Sequence, residues 1–185
     1  MGIIRYDTAS TFTGFIADES HSLDWLFSVP GGDAPDADLM PEGAVVVMGS
    51  TTYSWVLDHT CALSHPQRWF ADFGARPVFV FTSRELQRPE GADVRFVSGP
   101  VLDALPALRA AAEAGDIWIV GGGDLAGQFH DVGALDEIAV SIAPAALSSG
   151  APLFPRRVGP DRLTLVEARA VGAFARVRYR VAPAS

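Results

Sequence analysis

Short runs of consecutive apolar residues recur along the chain, separated by glycine, proline and polar clusters. Five of these runs are rich in valine, isoleucine and phenylalanine: residues 3–6, 44–48, 77–81, 94–97 and 117–120. Continuous runs of this length are typical of strands that are buried on both faces, as in a parallel sheet covered by helices. The segments between them have helical character at residues 52–57, 66–73, 102–114 and 125–132.

The last third of the chain has a different pattern. It contains three predicted strands, at residues 137–143, 163–171 and 173–181. In the last of them apolar residues alternate with Arg176, Arg178 and Arg180, which predicts an antiparallel strand whose arginine face is solvated. Residues 144–160 are rich in proline, glycine and serine and are predicted to be a loop. The predicted fold class is therefore α/β, with a mostly parallel central sheet, helices on both faces and a C-terminal antiparallel hairpin.

Size and composition narrow the classes of function. The chain has 185 residues, of which 49% are hydrophobic, so we expect residues 1–185 to form a single domain with a substantial core. Its net charge of −8 argues against a nucleic-acid partner, which would require a basic surface. All fourteen basic residues are arginine, and the absence of lysine excludes a P-loop lysine and a Schiff-base lysine.

The cysteine content and the absence of long apolar segments bear on compartment and metal content. Cys61 is the only cysteine, so an intramolecular disulfide and a zinc site built on paired cysteines are both excluded. No metal site is predicted. The first residues lack the pattern of a signal peptide, and no apolar run approaches the ~20 residues that span a bilayer. We therefore predict a cytoplasmic protein with no membrane partner.

The strongest local signal is a buried strand that runs into three glycines and then into a helix. Gly121, Gly122 and Gly123 are followed by Asp124 and Leu125. Glycine lets the backbone approach a ligand closely, and a helix N-terminus offers unpaired N–H groups and the positive end of the helix dipole. Both features suit a pyrophosphate. The alternative is a tight strand-to-helix turn in which Asp124 caps the helix.

Two other strand ends carry hydroxyl groups that can donate hydrogen bonds to phosphate oxygens. The residues are Gly49, Ser50, Thr51 and Thr52 after one strand, and Thr82, Ser83 and Arg84 after another. In open α/β sheets, ligands bind outside the carboxyl ends of the strands. Three polar turns at such ends predict one shared ligand site.

These motifs resemble the dihydrofolate reductase superfamily, in particular the branch that contains the C-terminal reductase domain of the bacterial riboflavin-biosynthesis protein RibD. The segments that carry the resemblance are residues 9–17, 48–53, 82–84, 120–125, 135–138 and 152–155. The resemblance implies a dihydrofolate reductase-like three-layer fold and NADPH as the hydride donor. It also implies a pterin or ribosylamino-pyrimidine substrate, and a homodimer.

The resemblance further implies roles for individual residues. The backbone at Ala9 would meet the nicotinamide carboxamide. Thr52 and residues 121–125 would hold the pyrophosphate, together with the turn at residues 49–51. Thr82, Ser83 and Arg84 would surround the adenosine ribose and its 2′-phosphate, to which the arginine fork can bind bidentately.

The chain departs from the family pattern at two positions. Ser50 stands where the family usually has an arginine, which leaves NADH as an alternative donor. Thr13 stands where the family usually has an aspartate at the substrate end. Asp24 is the candidate catalytic acid, with a cap or surface position on a helix as the alternative, and Trp25 is a candidate platform for a flat substrate ring.

The two departures also leave a different class of function open. A non-catalytic nucleotide-binding or interaction protein could retain the same fold and the same strand-end turns. Cofactor binding without oxidation of the cofactor would distinguish this alternative from a reductase.

Overall fold

The structure, a computed structural model, describes residues 2–30, 39 and 42–183. Eight strands form the central sheet: β1 (Ile4–Thr11), β3 (Val45–Gly49), β4 (Val78–Phe81), β5 (Val94–Val97), β6 (Ile117–Gly121), β7 (Glu137–Ala143), β9 (Leu163–Val171) and β10 (Phe174–Val181). A separate antiparallel pair consists of β2 (Phe15–Ala17) and β8 (Ala151–Pro152).

The order of strands across the central sheet is β5-β4-β3-β6-β1-β7-β10-β9. Neighbouring strands from β5 to β7 pair in parallel. Strand β10 runs antiparallel to β7, and β9 runs antiparallel to β10. The predicted parallel sheet with a C-terminal antiparallel hairpin is confirmed.

Helices cover both faces of the sheet. They are α1 (Asp24–Phe27), α2 (Ser50–Thr60), α3 (Pro66–Phe73), α4 (Val101–Ala112) and α5 (Gly123–Asp131), and a 3-10 turn follows at Pro160–Arg162. The residues of β3 alternate between two cores, because Val45 and Val47 pack with α4 and α5 while Val46 and Met48 pack with α2 and α3. None of the helices in the described ranges is long and apolar enough to cross a membrane.

Strand β1 is longer than its apolar pattern predicts. It continues through residues 7–11 because the side chains of Asp7, Ser10 and Thr11 are buried and have partners. Asp7 pairs with Arg176, and the Thr11 hydroxyl accepts a hydrogen bond from the Phe15 N–H at 3.1 Å. Ala9 therefore lies inside the strand and is not part of a loop that follows it.

The prediction of a solvated arginine face on β10 is wrong for Arg176. Its side chain is only 8% exposed, and its two terminal nitrogens each donate to an oxygen of Asp7 at 2.6 Å. Arg178 pairs with Glu137 and Glu167, whereas Arg180 is exposed as expected. An alternating pattern identifies the polar face of a strand but does not distinguish water from acidic partners on that face.

Residues 144–160 are not entirely loop, because β8 pairs with β2 there. Main-chain and side-chain hydrogen bonds fasten this segment to the start of the chain. The Leu153 N–H donates to the Gly14 carbonyl at 2.8 Å, and the Leu153 carbonyl accepts from the Tyr6 hydroxyl at 3.0 Å. The segment after β7 thus returns to the carboxyl end of β1.

Candidate functional site

A cavity of about 610 Å³ lies at the carboxyl ends of β5, β4, β3, β6 and β1. All three predicted strand-end turns reach it. Its lining includes Gly49, Ser50, Thr51, Thr52, Thr82, Ser83 and the run Gly121, Gly122, Gly123, Asp124 and Leu125. The volume is within the range of about 300–1,000 Å³ that is typical of small-molecule sites.

Two helices begin at this cavity without a side-chain cap. The N-cap residues are Gly49 for α2 and Gly122 for α5, both in extended conformation, and neither helix has a capping hydrogen bond from a side chain. The first-turn N–H groups of both helices therefore remain available, and the positive ends of both dipoles face the same space. This arrangement favours an anion with more than one charged oxygen.

The alternative interpretation of Asp124 as a helix cap is not supported. Its carboxylate accepts hydrogen bonds from the Gln128 amide and from the Arg156 guanidinium, each at 2.9 Å. These hydrogen bonds, first that of Gln128 and then that of Arg156, hold the pKa of Asp124 below its usual value. Arg156 also bonds Asp131 at 2.8 Å and so spans both ends of α5.

The three consecutive glycines have different surroundings. Gly122 lines the cavity, and a Cβ on this residue would meet no atom within 4 Å. A Cβ on Gly123 would collide with the main-chain oxygens of Pro152 and Leu153. A Cβ on Gly121 would lie 3.1 Å from the Thr52 hydroxyl, and the Gly121–Gly122 peptide is cis. Gly123 is thus required by packing, and Gly122 leaves open space beside the helix start.

A fourth strand-end turn, which our sequence analysis missed, joins the site after β5. Ser98 and Gly99 line the cavity next to Thr82 and Ser83. The signal was present in the sequence, since Ser-Gly-Pro directly follows an apolar run. The importance of Arg156 could not be anticipated, because nothing in its loop sequence indicates a contact with α5.

The part of the cavity that lies beside β1 and β2, away from Thr82 and Ser83, is mainly apolar. Its lining there comprises Thr8, Ile16, Ala17, His21, Leu23, Trp55 and Val56. None of these residues was predicted as part of the site. Among the described residues that line the cavity, His21 and Asp124 are the two that can carry charge.

Two residues predicted near the phosphate and nicotinamide ends do not line the cavity. Arg84 is exposed, and its main-chain N–H donates to the Thr82 hydroxyl at 2.9 Å. No side chain within the described ranges pairs with its guanidinium. Ala9 pairs with Ser141 of β7, one residue beyond Thr8, which does line the cavity.

The predicted substrate-end residues also lie outside the lining. The Thr13 hydroxyl donates to the Leu147 carbonyl at 2.7 Å and so fastens two loops together. Asp24 is exposed on α1. Trp25 packs in a small core with Val29 and Phe174. Trp55, on α2, is the aromatic side chain that the fold places at the apolar end of the cavity.

Comparisons with known proteins agree with this architecture. The RibD C-terminal domain profile matches residues 30–175. The Bacillus subtilis (strain 168) protein YwjB, itself uncharacterized, is 27% identical over 172 residues, which cover 92% of this chain and 93% of YwjB.

Two solved structures extend the comparison. A Shewanella sp. PV-4 protein, provisionally assigned to riboflavin biosynthesis, superposes with a TM-score of 0.76 at 26% identity and covers 98% of this chain and 99% of its own. Dihydrofolate reductase from Enterococcus faecalis, solved with NADP(H), has a TM-score of 0.63 at 17% identity and covers 97% of this chain and 96% of its own. The second likeness concerns the fold alone.

Proposed function

The chain belongs to the RibD C-terminal domain family, and we propose that it is a reductase that uses NADPH to transfer a hydride to a small pterin- or pyrimidine-type substrate. One observation carries this proposal: the uncapped N-termini of α2 and α5 meet at a cavity beside Gly122. The lining fits a dinucleotide, because main-chain donors lie at its centre and hydroxyls and apolar side chains lie toward its two ends.

The order of the strands supports the following assignment of the parts of the cofactor. The pyrophosphate would be held by the N–H groups of Ser50 to Thr52 and of residues 123–125. The adenosine ribose would lie by Thr82, Ser83 and Ser98, with Arg84 the candidate partner of a 2′-phosphate. The nicotinamide would lie at the apolar end of the cavity, where its ring would be shielded from water.

When bound, NADPH supplies two electrons and a proton as a hydride. The protein's task is then to orient the two reacting carbons and to keep water away from them. Trp55, Ile16 and Leu23 supply apolar surface for that purpose. Neither Asp24 nor Thr13 faces this space, so the carboxylate role that we predicted for Asp24 has no support from its position.

The structural relatives support the same proposal. The Enterococcus faecalis enzyme holds NADP(H) on this fold, and the Shewanella protein is provisionally assigned to riboflavin biosynthesis. By that analogy we propose a substrate of the ribosylamino-pyrimidine class. A homodimer and a cytoplasmic location stay predictions.

The proposal is tested by titrating the protein with NADPH while recording tryptophan fluorescence and thermal stability. Trp55 lines the cavity, so we expect quenching and a rise in Tm. In Gly122→Val the added side chain would enter open space, so we expect loss of binding with an unchanged Tm of the free protein. Ala71→Val, on the exposed surface of α3, is the matched control.

Two outcomes would contradict the proposal. One is a wild-type protein whose fluorescence and Tm do not respond to millimolar NADPH. The other is Gly122→Val with wild-type affinity, which would mean that the glycines serve only the turn.

A second candidate function is a non-catalytic nucleotide-binding protein. It is favoured by the small number of ionisable groups in the described lining, His21 and Asp124. NADPH binding without NADPH oxidation, with dihydrofolate and with 5-amino-6-(5-phosphoribosylamino)uracil, would favour this candidate over the reductase.

A further inference from the structure

The two ionisable residues of the described lining stand in different surroundings. Asp124 lies at the start of α5 and is hydrogen-bonded to Gln128 and Arg156. His21 lies in the lining with Ile16, Leu23 and Trp55, and no described side chain or main-chain group hydrogen-bonds its ring. His21 is exposed and its charged neighbour is the Asp18 carboxylate, while its ring nitrogens are available to hydrogen-bond a ligand.

A tightly bonded turn holds His21 in place. One oxygen of the Asp18 carboxylate accepts hydrogen bonds from the Ser20 N–H at 2.8 Å, the Ser20 hydroxyl at 2.7 Å and the Ser22 N–H at 2.8 Å. The main chain of Asp18 bonds Ser22 and His21 at 3.2 and 3.0 Å. His21 itself has a φ of +63°, in the left-handed region that residues other than glycine seldom adopt. The turn therefore fixes the main-chain conformation at His21, whose side chain lines the cavity and interacts electrostatically with Asp18.

We propose that His21 is a catalytic residue, the acid that donates the proton completing the reduction of the substrate. This inference rests on the proposed function. The substrate carbon of a C=N or C=O group gains two electrons and a hydrogen as hydride, and the nicotinamide is oxidised. The π pair moves to the substrate nitrogen or oxygen, which takes a proton from the imidazolium. His21 is left neutral and regains a proton from water.

This assignment keeps the charge of the site constant through the reaction. A positive charge leaves the imidazolium as one appears on the oxidised nicotinamide ring. The positive charges of protonated His21 and of the oxidised nicotinamide ring of NADP⁺ therefore repel each other. The reduced ring of NADPH is neutral and does not repel the imidazolium. The relative affinity for the two cofactor forms should therefore depend on pH.

The other charged groups around His21 would not produce this dependence. Asp18 and Glu19 share its turn, and hydrogen bonding by Ser20 holds the pKa of Asp18 below its usual value, so that carboxylate stays ionised. Asp24 follows on α1, and residues 144–153, which contact this part of the chain, include no charged side chain. On α2, His59 stacks on Trp55 with ring centroids 4.4 Å apart, behind the residue that lines the cavity.

The test measures dissociation constants of NADP⁺ and NADPH by calorimetry from pH 6.0 to 8.5, in two buffers of different ionisation heat. Both cofactors carry the same 2′-phosphate, so the ratio of the two dissociation constants is independent of the titration of that group. We expect the ratio Kd(NADP⁺)/Kd(NADPH) to rise about fivefold from pH 8.5 to 6.0, the effect of one unit charge in a partly hydrated site. NADP⁺ binding should also release protons, and NADPH binding should not.

The variant His21→Asn removes the titrating ring and keeps a residue that tolerates the left-handed conformation. We expect the ratio Kd(NADP⁺)/Kd(NADPH) of this variant to be independent of pH. His65→Asn, at the exposed start of α3, is the matched control and should behave as the wild type does. His21→Gly provides a second variant that is free of strain at this φ.

The outcomes separate the inference from the function on which it rests. If both cofactors bind and the wild-type ratio is flat, or if the pH dependence persists in His21→Asn, His21 is not the proton donor and the reductase proposal stands. If neither cofactor binds at any pH, the reductase proposal fails and this inference fails with it.

Discussion

The two halves of the central sheet accommodate their polar groups in opposite ways. In the half made by β5, β4, β3 and β6, the strands are apolar on both faces except at Arg95 of β5, and polar groups appear where the strands end at the cavity. In the half made by β1, β7, β10 and β9, charged side chains lie on the sheet itself and pair across the strands.

The difference shows which half of the sheet has hydrogen-bonding groups available to a ligand. Arg176 is bonded to both oxygens of Asp7 and lies 3.2 Å from the Ser141 hydroxyl, so the donors and acceptors of this cluster are used within the protein. At the cavity, the first-turn N–H groups of α2 and α5 have no capping side chain. We therefore expect substitutions in the charged half to change stability and substitutions at the cavity to change binding.

The largest expected effect is that of Arg176→Ala. It leaves the Asp7 carboxylate buried without its partner, a change that costs about 3–5 kcal/mol of unfolding free energy. Urea denaturation measures the loss, and NADPH affinity should be unchanged in the protein that remains folded. Arg180→Ala, on the same strand but exposed, should stay within about 0.5 kcal/mol of the wild type.

A double variant refines this prediction. Burial raises the pKa of Asp7 more than Arg176 lowers it, which indicates a considerable desolvation cost for the pair. We therefore expect Asp7→Leu with Arg176→Met to recover most of the stability that the single variant loses. A double variant as unstable as Arg176→Ala would show that the pair contributes more than its desolvation costs.

The next effect separates two adjacent glycines at the cavity. Gly123→Ala forces a methyl group against the main chain of Pro152 and Leu153, and overpacking of this kind costs about 1–3 kcal/mol. Gly122→Ala should stay within about 0.5 kcal/mol of the wild type, because its methyl group meets nothing. Equal Tm values for the two variants would contradict the packing difference described above.

Arg84→Gln should change binding and leave stability as it is. The guanidinium is exposed and unpaired within the described ranges, so its removal costs the fold little. We expect NADPH affinity to fall about tenfold, which corresponds to about 1.4 kcal/mol, and NADH affinity to stay the same. If both affinities fall together, or neither does, Arg84 does not contact a 2′-phosphate.

The smallest effect concerns Arg156, whose hydrogen bonds to Asp124 and Asp131 are near the surface. Arg156→Gln should cost about 0.2–1 kcal/mol at pH 7. Because the pKa of Asp124 is lowered in the folded protein, this stabilisation is present above the unfolded value near pH ~4 and is lost as the pH falls through the lowered value. Thermal unfolding should show wild type and variant converging in acid; a gap that stays constant between pH 7 and pH 2.5 would contradict this.

The sequence was sufficient for most of the architecture because apolar runs and alternating patterns mark strands in both halves of the sheet. Residues 137–143, 163–171 and 66–73 were predicted with the bounds that the structure has. In the charged half, which contains β7 and β9, the pattern predicted these bounds but not the partners of the charged side chains. Asp7 and Arg176 are far apart along the chain, and an alternating pattern within one strand does not indicate which acidic residue pairs with which arginine.

The site was predictable where glycine or hydroxyl residues follow a strand, since this pattern is local. It was not predictable at the apolar end, where Ile16, Leu23 and Trp55 look like ordinary core residues in the sequence. His21 depends on a turn whose conformation is fixed by Asp18 three positions earlier, and the residue type at position 21 does not indicate that turn. The connection of residues 151–153 to β2 and Gly123 likewise depends on long-range contacts.

The cavity draws its lining from seven separate stretches, between Thr8 near one end of the chain and Pro155 near the other. A molecule bound there would hold these stretches together, so any partial opening that detached one of them would also release the ligand. Binding at a hundredfold excess over Kd adds about 2.7 kcal/mol to stability. Protection from proteolysis should therefore extend over the whole chain, including loops that the ligand never touches.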